Sequence, residues 1–289
     1  MRALCDSYNT AAQHRLVLGS VAYTGVMCGR LNVTADPLTQ LLMEVFGIEP
    51  LARLGEWPSD INIAPTQAVA AVRSLGQVSA SDSDSDAQAA DYRLDRLRWW
   101  LTPSWSKEMS TKYAMFNAKA ETLASKPAFA KSFRSRRCVI PVSGFYEWSR
   151  VALTQTDLAG ATTQSAKTPY FIRPADTAGL LLAGVWDRWQ DPQGDALVES
   201  FAIVTTAASA GLQQLHHRQP VILDAAGAQL WLDGATAPED LQPLLEPQLR
   251  IDLQLVPVGR ELNNARYKDP SGINPVGPII EVDSDHVTH

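Results

Sequence analysis

The sequence predicts an α+β fold: a single domain with a mainly antiparallel β core and flanking helices. The chain has 289 residues, 45% of them hydrophobic and 19% charged, which is enough apolar material for one sizeable core. Helical patterns are few and irregularly interleaved with strand patterns, which disfavours a doubly wound parallel sheet. Short apolar runs typical of strands recur along the chain, at 68–73, 138–148, 169–173, 179–186, 200–206 and 251–258.

The helices are predicted from capping residues and apolar stripes. Asp36 and Pro37 are typical of a helix start, with an acidic N-cap and a proline at the first helical position. The stripe that follows consists of Leu38, Leu41, Leu42, Val45 and Phe46. Gly47 is predicted to end this helix. Further helical patterns occur near 224–232 and 238–246.

Several segments are expected to lie outside the folded core. Residues 1–26 mix polar and apolar positions without periodicity, and we interpret them as a leader that is disordered or absent from the mature protein. Polar inserts are predicted at 79–91, which is acidic and serine-rich, and at 150–167. The domain is predicted to span 27–275, followed by a C-terminal tail at 276–289.

Composition and charge exclude several classes of protein. No stretch reaches the roughly 18 uncharged apolar residues of a membrane-spanning helix, so no membrane partner is expected. The three cysteines, Cys5, Cys28 and Cys138, are too few and scattered for a disulfide framework or a zinc ribbon, which indicates a reducing, cytoplasmic setting. The net charge of −6 argues against a protein that coats nucleic acid indiscriminately, although it permits a local basic groove.

A basic region of this kind lies between residues 107 and 137. Its basic residues are Lys107, Lys112, Lys119, Lys126, Lys131, Arg134, Arg136 and Arg137, and its acidic residues are Glu108 and Glu121. Trp99, Trp100 and Trp105 lie just upstream. Basic residues near aromatic rings are what a single-strand-binding surface needs, for phosphate neutralisation and base stacking. The alternative is a solvated helix face beside core tryptophans.

Cys28 is the candidate nucleophile. A lone cysteine is usually a small buried hydrophobic residue, but Cys28 directly follows Met27, a plausible start. Loss of Met27 would leave Cys28 with a terminal α-amine, whose pKa is about 7.7–8.0. The amine and thiol could then attack one aldehyde carbon in turn, first forming a Schiff base and then closing a thiazolidine ring. Neither Cys5 nor Cys138 has that opportunity.

Glu147 is a candidate for proton transfer. It lies in the sequence GFYEW, among Phe145, Tyr146 and Trp148. A carboxylate in such a strand is costly to bury unless it is paired or functional. An equally weighted alternative is a strand-edge glutamate that faces water while the aromatic residues face inward.

Two neighbouring histidines offer a second candidate. His216 and His217 stand beside Arg218 in the segment GLQQLHHRQPVIL. The spacing does not support a metal site, so we interpret the motif as a catalytic imidazole entering a strand. The alternative is a polar helix end before a buried strand.

Taken in order, these motifs resemble the SRAP family, the SOS-response-associated peptidase proteins that cross-link to abasic sites in single-stranded DNA. The likeness runs from Met27 to about Asn264. The matching motifs are Met27-Cys28-Gly29-Arg30, Asn62-Ile63-Ala64-Pro65-Thr66, Trp99 to Trp105, Asn117-Ala118-Lys119-Ala120-Glu121-Thr122, Gly144-Phe145-Tyr146-Glu147-Trp148 and His216-His217-Arg218-Gln219-Pro220. Six motifs in a fixed order are hard to obtain by chance.

The resemblance implies a mechanism of covalent capture. Cys28 would attack the C1′ aldehyde of an abasic deoxyribose through its amine and then its thiol, suicide-type or reversibly, and shield the site from strand cleavage. Asn117 would hold the reacting groups by hydrogen bonds. Glu147 would shuttle protons, and His216 would donate or accept the proton at the sugar oxygen. No metal or organic cofactor is implied, and a monomer is expected.

The resemblance also implies the DNA contacts. Arg30, Lys119 and Arg218 would contact phosphate or the flipped-out site. Trp99 or Trp100 would stack on a base or wedge the strands apart.

Four positions qualify the resemblance. Asn62, grouped with the DNA-binding residues, would shape the Asn-x-Ala-Pro loop near the site. Lys119 stands where arginine is common, which keeps the charge but loses the bidentate fork. Trp100 replaces a usual glycine, and Gln219 stands where methionine or arginine is common.

Two other functions remain open at this point. One is a thiol peptidase with Cys28 as nucleophile and His216 as base, acting on its own leader between Met27 and Cys28. The other is a non-catalytic single-stranded DNA-binding protein. A protein that retains residues 1–26 would have no free Cys28 amine. In each case the expected location is cytoplasmic, with nucleoid association when DNA is bound.

Overall fold

The computed structural model describes residues 29–74, 92–149 and 168–285, and it confirms the α+β fold with mostly antiparallel sheets. The predicted leader, both predicted polar inserts and Cys28 lie outside the described residues.

The predicted strands are confirmed, with ends that differ by a few residues. The strands of the described residues are β1 (Leu31–Val33), β2 (Asp60–Ile63), β3 (Ala68–Ser74), β4 (Tyr92–Trp99), β5 (Asn117–Lys119), β6 (Arg137–Val142), β7 (Gly144–Ser149), β8 (Thr168–Pro174), β9 (Leu180–Gln190), β10 (Leu197–Ala207), β11 (Arg218–Pro220), β12 (Ile222–Leu223), β13 (Leu253–Pro257) and β14 (Ile280–Val282).

The helices flank these strands. Those of the described residues are α1 (Ala35–Phe46), α2 (Pro50–Leu54), α3 (Ala120–Leu123), α4 (Ala130–Ser135), α5 (Ala225–Leu232) and α6 (Gln242–Leu245), with 3₁₀ turns at Arg260–Asn263 and Pro270–Ile273. In this part of the chain no helix combines the length and the apolar character that crossing a membrane requires.

The strands form two sheets, and a single residue separates β6 of one sheet from β7 of the other. The first sheet has the order β14-β13-β8-β7-β1-β2 and is antiparallel throughout. The second has the order β11-β10-β4-β3-β6-β9-β12, and a further pairing of β9 with β10 closes it on itself. Ser143 links β6 to β7, and its N–H donates to the Asn32 carbonyl at 2.8 Å. The chain therefore passes from one sheet to the other directly beside β1.

The second sheet positions β5 through parallel pairing. Both β4 and β5 pair parallel with β10, at adjoining positions along that strand. The chain leaves the sheet after β4 and returns to it as β5. The intervening loop, residues 100–116, therefore begins and ends next to Asn117.

Two clusters of apolar side chains stabilise the domain. The main core contains residues of both sheets together with α1 and α5. A smaller cluster lies over part of the first sheet and includes Tyr146, Phe171 and Leu262, with Trp148 and Tyr267 packed against it. This second cluster attaches the segment after β13 to the first sheet.

The start of α1 differs from the prediction, whereas its end agrees with it. The first helix begins at Ala35, with Thr34 at the N-cap position, so Asp36 lies in its first turn instead of capping it. Gly47 ends this helix as predicted, with φ 65° in the left-handed region and its N–H donating to the Met43 carbonyl at 3.0 Å.

The C-terminal segment is also part of the fold as far as residue 285. Ile280–Val282, within the predicted tail, pairs antiparallel with β13 as β14. Val282 is buried and fills the space left by Gly211, and the Leu249 N–H donates to the Asp285 carboxylate at 2.8 Å. The predicted domain boundary at 275 is therefore corrected, because these packing and hydrogen-bond contacts hold the segment on the sheet.

Candidate active site

Glu147 lies on β7 beside the residues that follow Cys28. β1 pairs antiparallel with β7, and the Tyr146 N–H donates to the Arg30 carbonyl at 3.1 Å. Continuation of this register brings Gly29 opposite Glu147. Gly29 is bonded to Cys28, which itself lies outside the described residues.

The carboxyl group of Glu147 is inside the protein. Its side chain is 4% exposed, so the alternative of a glutamate that faces water is wrong. Alternation along the strand puts Glu147 on the same face as Phe145, a residue of the main core, and opposite to Tyr146 and Trp148.

Asn117 and Lys119 lie together on β5. Asn117 is opposite Ile203 of β10, and Lys119 is opposite Thr205. The two side chains share one face of the strand because they are two residues apart. Asn117 is half-buried and Lys119 is exposed, whereas the intervening Ala118 is buried.

His216 is the buried member of the histidine pair. It is 7% exposed, and the Arg218 N–H donates to its Nδ1 at 3.2 Å. The exposed His217 packs against it, with ring centroids 4.2 Å apart. Burial lowers the pKa of His216 below its ordinary value, and the charges of His217 and Arg218 lower it further. The imidazole is therefore neutral near pH 7.

The Arg218 side chain is committed to contacts within the protein. Its guanidinium donates both Nη1 and Nη2 to the carboxylate of Glu121, at 2.6 and 2.9 Å. Nη2 also donates to the carbonyl of Thr205 at 2.6 Å. The hydrogen bonds from Arg218 are the main cause of a lowered Glu121 pKa. The resemblance implies that Arg218 contacts phosphate or the flipped-out site. A phosphate would have to displace Glu121 before it could accept hydrogen bonds from both Nη1 and Nη2.

Asn62 is a structural residue, which corrects its grouping with the DNA-binding residues. Its side chain is fully buried. Nδ2 donates to the carbonyls of Asn264 and Tyr267 at 3.0 and 3.2 Å, and Oδ1 accepts from Arg30 Nη1 at 2.8 Å. Asn62 therefore fixes the segment after β13 and has no surface to offer to DNA.

The two adjacent tryptophans have different roles. Trp99 is fully buried, lies parallel to Phe201 with centroids 6.5 Å apart, and donates Nε1 to the Phe116 carbonyl at 3.0 Å. It is a core residue, so the prediction that it stacks on a base is wrong. Trp100 is partly exposed, packs at 5.1 Å from the Phe116 ring and donates to the Ser110 carbonyl. Of the two, Trp100 alone has ring surface available to a ligand.

The loop 100–116 carries two exposed aromatic residues: Trp105, which the sequence places with the predicted basic region, and Tyr113, which no sequence motif singled out. Trp105 is 65% exposed and Tyr113 is 69% exposed. Both line a groove of about 540 Å³, together with Lys107, Lys112 and Lys126. The polar run between the two aromatic residues is the sequence pattern that could have identified an exposed loop. The groove combines stacking surface with positive charge, beside one acid, Glu108.

The predicted basic region divides into exposed and structural residues. Arg136 pairs with Asp187. Arg137 is fully buried and donates to backbone carbonyls, including those of Trp231 and Phe133. These two arginines stabilise the fold, so the basic surface consists of the lysines around the loop and of Arg134.

Cys138 is not a rival nucleophile. It is fully buried on β6, and burial raises the pKa of its thiol far above the ordinary value. Within residues 29–74, 92–149 and 168–285, no three or more His, Cys, Asp or Glu residues are grouped so as to hold a metal ion.

Comparison with known proteins identifies relatives over most of the chain. The family model described as SOS response associated peptidase (SRAP) matches residues 27–265. The abasic site processing protein YoqW of Bacillus subtilis is 31% identical over 245 residues, which cover 84% of this chain and 97% of that protein. The mouse abasic site processing protein HMCES is 31% identical over 218 residues, covering 68% of this chain and 61% of that protein.

Solved structures share the fold. A protein from Bacteroides thetaiotaomicron superimposes with a TM-score of 0.60 at 20% identity, covering 79% of this chain and 92% of that one. A phage-related protein from Bordetella bronchiseptica has a TM-score of 0.52 at 28% identity, covering 75% of this chain and 87% of that one.

Proposed function

Since the chain belongs to the SOS response associated peptidase (SRAP) family, which includes abasic site processing proteins, we propose that it captures abasic sites in single-stranded DNA through a covalent bond to Cys28. The reaction requires a free α-amine on Cys28. A protein that retains residues 1–27 has no such amine, so the capturing form is one that begins at Cys28.

The chemistry balances without a cofactor. A ring-opened abasic deoxyribose presents an aldehyde at C1′. The Cys28 amine adds to this carbon and water leaves, which gives a Schiff base. The thiol then adds to the same carbon, its proton passes to the nitrogen, and the five-membered thiazolidine closes. The adduct weighs one water less than the protein and the oligonucleotide together, and no oxidant or reductant is consumed.

The observation that carries this proposal is the register that brings Gly29 opposite Glu147. A buried carboxylate beside the residue that follows Cys28 is suited to take the proton released by the attacking amine and to return it to the departing oxygen. General acid–base catalysis of this kind contributes about 10²–10⁴-fold. Glu147 is therefore the proton shuttle of the proposed reaction.

The second sheet contributes the other polar groups. Asn117, half-buried on β5, offers an amide that can donate and accept hydrogen bonds to the open sugar. His216 is neutral near pH 7, because burial lowers its pKa, and it exchanges a proton with the sugar oxygen. Lys119, exposed on the same face as Asn117, is the nearby cation for phosphate.

The DNA strand is proposed to follow the loop 100–116. Trp105 and Tyr113 supply exposed rings for base stacking, and Lys107 and Lys112 supply charge for the backbone. The loop begins and ends beside Asn117, so a strand bound there continues directly to the proposed reaction site. Trp100, at the start of the loop, packs against the ring of Phe116, the residue before Asn117, with centroids 5.1 Å apart.

Intact mass spectrometry tests the proposal. The full chain and a chain that begins at Met27 are measured before and after incubation with a single-stranded oligonucleotide that contains an abasic site. We expect the Met27 chain to lose its methionine and to gain the oligonucleotide less one water, without borohydride. The Cys28→Ser variant keeps the amine but lacks the thiol, so it is expected to form no such stable adduct.

The remaining outcomes distinguish the alternatives. The Cys138→Ala variant is the matched control and is expected to form the adduct normally, because that thiol is buried. A full chain that is found to begin at Cys28 without added protease would show self-processing. A protein with a free Cys28 amine that binds the oligonucleotide and gains no mass would contradict covalent capture and leave single-strand binding.

A further inference from the structure

Three hydrogen bonds hold the Arg30 side chain against other parts of the protein. Its Nη1 donates to Asn62 Oδ1 at 2.8 Å and to the Leu262 carbonyl at 3.0 Å, and its Nη2 donates to the Asn263 carbonyl at 3.2 Å. The guanidinium lies 5.7 Å from the ring of Trp148, which itself donates Nε1 to Asn263 Oδ1 at 2.5 Å. Both terminal nitrogens of the side chain are therefore used within the protein.

The acceptors of Arg30 are themselves fixed. Asn62 donates to the carbonyls of Asn264 and Tyr267. Lys268 Nζ donates to the Asn62 carbonyl at 2.7 Å and to the carboxylate of Asp60 at 2.8 Å. The segment 260–268 thus forms a rigid receptor for the Arg30 side chain, and we refer to Arg30, Asn62 and this segment as the anchor.

The anchor acts on the residues that follow Cys28. Arg30 is two residues after Cys28, and its carbonyl accepts the Tyr146 N–H. Gly29 lies between them, and among the described residues no heavy atom other than those of its chain neighbours lies within 4 Å of the position that a Cβ would take there. Arg30 is therefore the described residue nearest to Cys28 in the chain whose side chain holds the start of β1.

We propose that Arg30 is a positioning residue that holds Gly29, to which Cys28 is bonded, beside Glu147, and that it is not a DNA ligand. This inference rests on the proposed function and adds the device that orients the nucleophile. Three of the five guanidinium N–H donors, two on Nη1 and one on Nη2, are bonded to carbonyl and amide oxygens of the anchor, and these bonds hold the side chain against it. Removal of the anchor therefore lowers the rate of the covalent step and leaves the affinity for DNA unchanged.

Arg30→Gln is the variant that tests the anchor, with Arg53→Gln as its control. Arg53 is an exposed arginine on α2, outside the anchor and outside the basic region between residues 107 and 137. Affinity is measured on the full chain with an oligonucleotide that carries a tetrahydrofuran abasic analogue, at several salt concentrations. The rate of adduct formation at saturating abasic oligonucleotide is measured in the form that begins at Cys28. For Arg30→Gln we expect this rate to fall by about 100-fold, since misplacement of about 1 Å has that effect, and Kd to change less than about twofold.

A measurement without DNA keeps the anchor testable by itself. Hydrogen exchange of the Tyr146 amide in the full chain reports whether Arg30 holds the start of β1. We expect exchange about tenfold faster in Arg30→Gln and unchanged in Arg53→Gln. The variant Trp148→Phe keeps an aromatic ring but removes the bond to Asn263, and we expect a smaller change in the same direction.

Two outcomes overturn the proposal, and a third separates it from the proposed function. A weaker Kd with a salt slope reduced by about 0.7, and an unchanged rate, would make Arg30 a phosphate ligand. Unchanged Tyr146 exchange would show that Arg30 does not hold β1, whether or not the parent protein forms an adduct. If the parent forms no adduct but the exchange changes as expected, the proposed function fails while the anchor remains as a structural feature.

Discussion

The anchor and the loop 100–116 use the same residue types for opposite purposes. In the anchor, Arg30 and Asn62 turn their polar atoms toward carbonyls and amides of the protein, and Trp148 donates to the anchor at Asn263. In the loop, Trp105 and Tyr113 leave most of their ring surface exposed. A cation or an aromatic ring near the candidate site is thus no guide to DNA binding until its partners are known.

The difference has an energetic basis. Asn62 is fully buried, and a buried polar group without a partner costs about 1–3 kcal/mol, so its amide must be hydrogen-bonded within the protein. An exposed ring or lysine on a loop costs little to leave unpaired and remains available to a ligand. We therefore expect the anchor to contribute positioning and the loop to contribute affinity for DNA.

Trp99 and Trp105 give the largest test of this contrast between buried and exposed rings. We expect Trp99→Ala to lower the free energy of unfolding by about 3–5 kcal/mol, because a fully buried indole is removed from the core. Trp105→Ala should change it by less than about 0.5 kcal/mol. Urea denaturation measures both variants. A small effect of Trp99→Ala would contradict its assignment to the core.

The affinity for a single-stranded oligonucleotide tests whether the loop 100–116 is the DNA path. We expect Trp105→Ala and Tyr113→Ala each to weaken binding of a single-stranded oligonucleotide by about 1–3 kcal/mol, because each removes one stacking platform. Fluorescence anisotropy with an undamaged oligonucleotide measures Kd without the covalent step. Leu51→Ala, which removes an exposed apolar residue on α2, is the matched control. Equal affinity of all three variants and the parent would exclude the loop as the DNA path.

The lysines of the loop should act through salt dependence. Lys107→Gln and Lys112→Gln together are expected to reduce the slope of log Kd against log salt concentration by about 0.7 for each phosphate that they neutralise in the parent protein. Their effect on Kd should shrink as salt is raised, whereas the effect of Trp105→Ala should not. Lys131→Gln, on α4, serves as the comparison. A slope that is unchanged by the double substitution would show that these lysines do not bind phosphate.

The fold was largely predictable from local pattern. The strands β3, β6 to β10 and β13, together with α1, were predicted because apolar runs and capping residues are local properties, whereas β1, β2, β4, β5, β11 and β12 were not among the predicted strands. β14 was missed because it has only three residues at the edge of a sheet, and its support comes from Gly211, far away along the chain. Short edge strands carry too little pattern to be predicted without their partners.

The roles of the polar residues were not predictable in the same way. Trp99 and Trp100 are adjacent, so one of them must face inward, but sequence alone does not tell which. Arg218 finds Glu121, which is 97 residues away, and Asn62 finds the backbone about 200 residues away. These pairings depend on tertiary structure, which explains why the residue types were identified correctly while several roles were not.

His216 gives the smallest predicted effect, a change of stability with pH. Its pKa is lowered in the folded protein, so below about pH 6.5 the unfolded chain binds this proton more readily than the folded one. Stability contributed by the neutral imidazole is thus complete above that pH and declines as the pH falls toward the folded pKa. We expect the decline to be below about 1 kcal/mol between pH 6.5 and 5.5. Thermal unfolding of the parent, His216→Gln and His217→Gln over this range tests this assignment. The decline should disappear in His216→Gln, which removes the imidazole, and persist in His217→Gln, because the burial that lowers the His216 pKa is retained there. The same decline in all three proteins would show that other groups, and not His216, govern stability there.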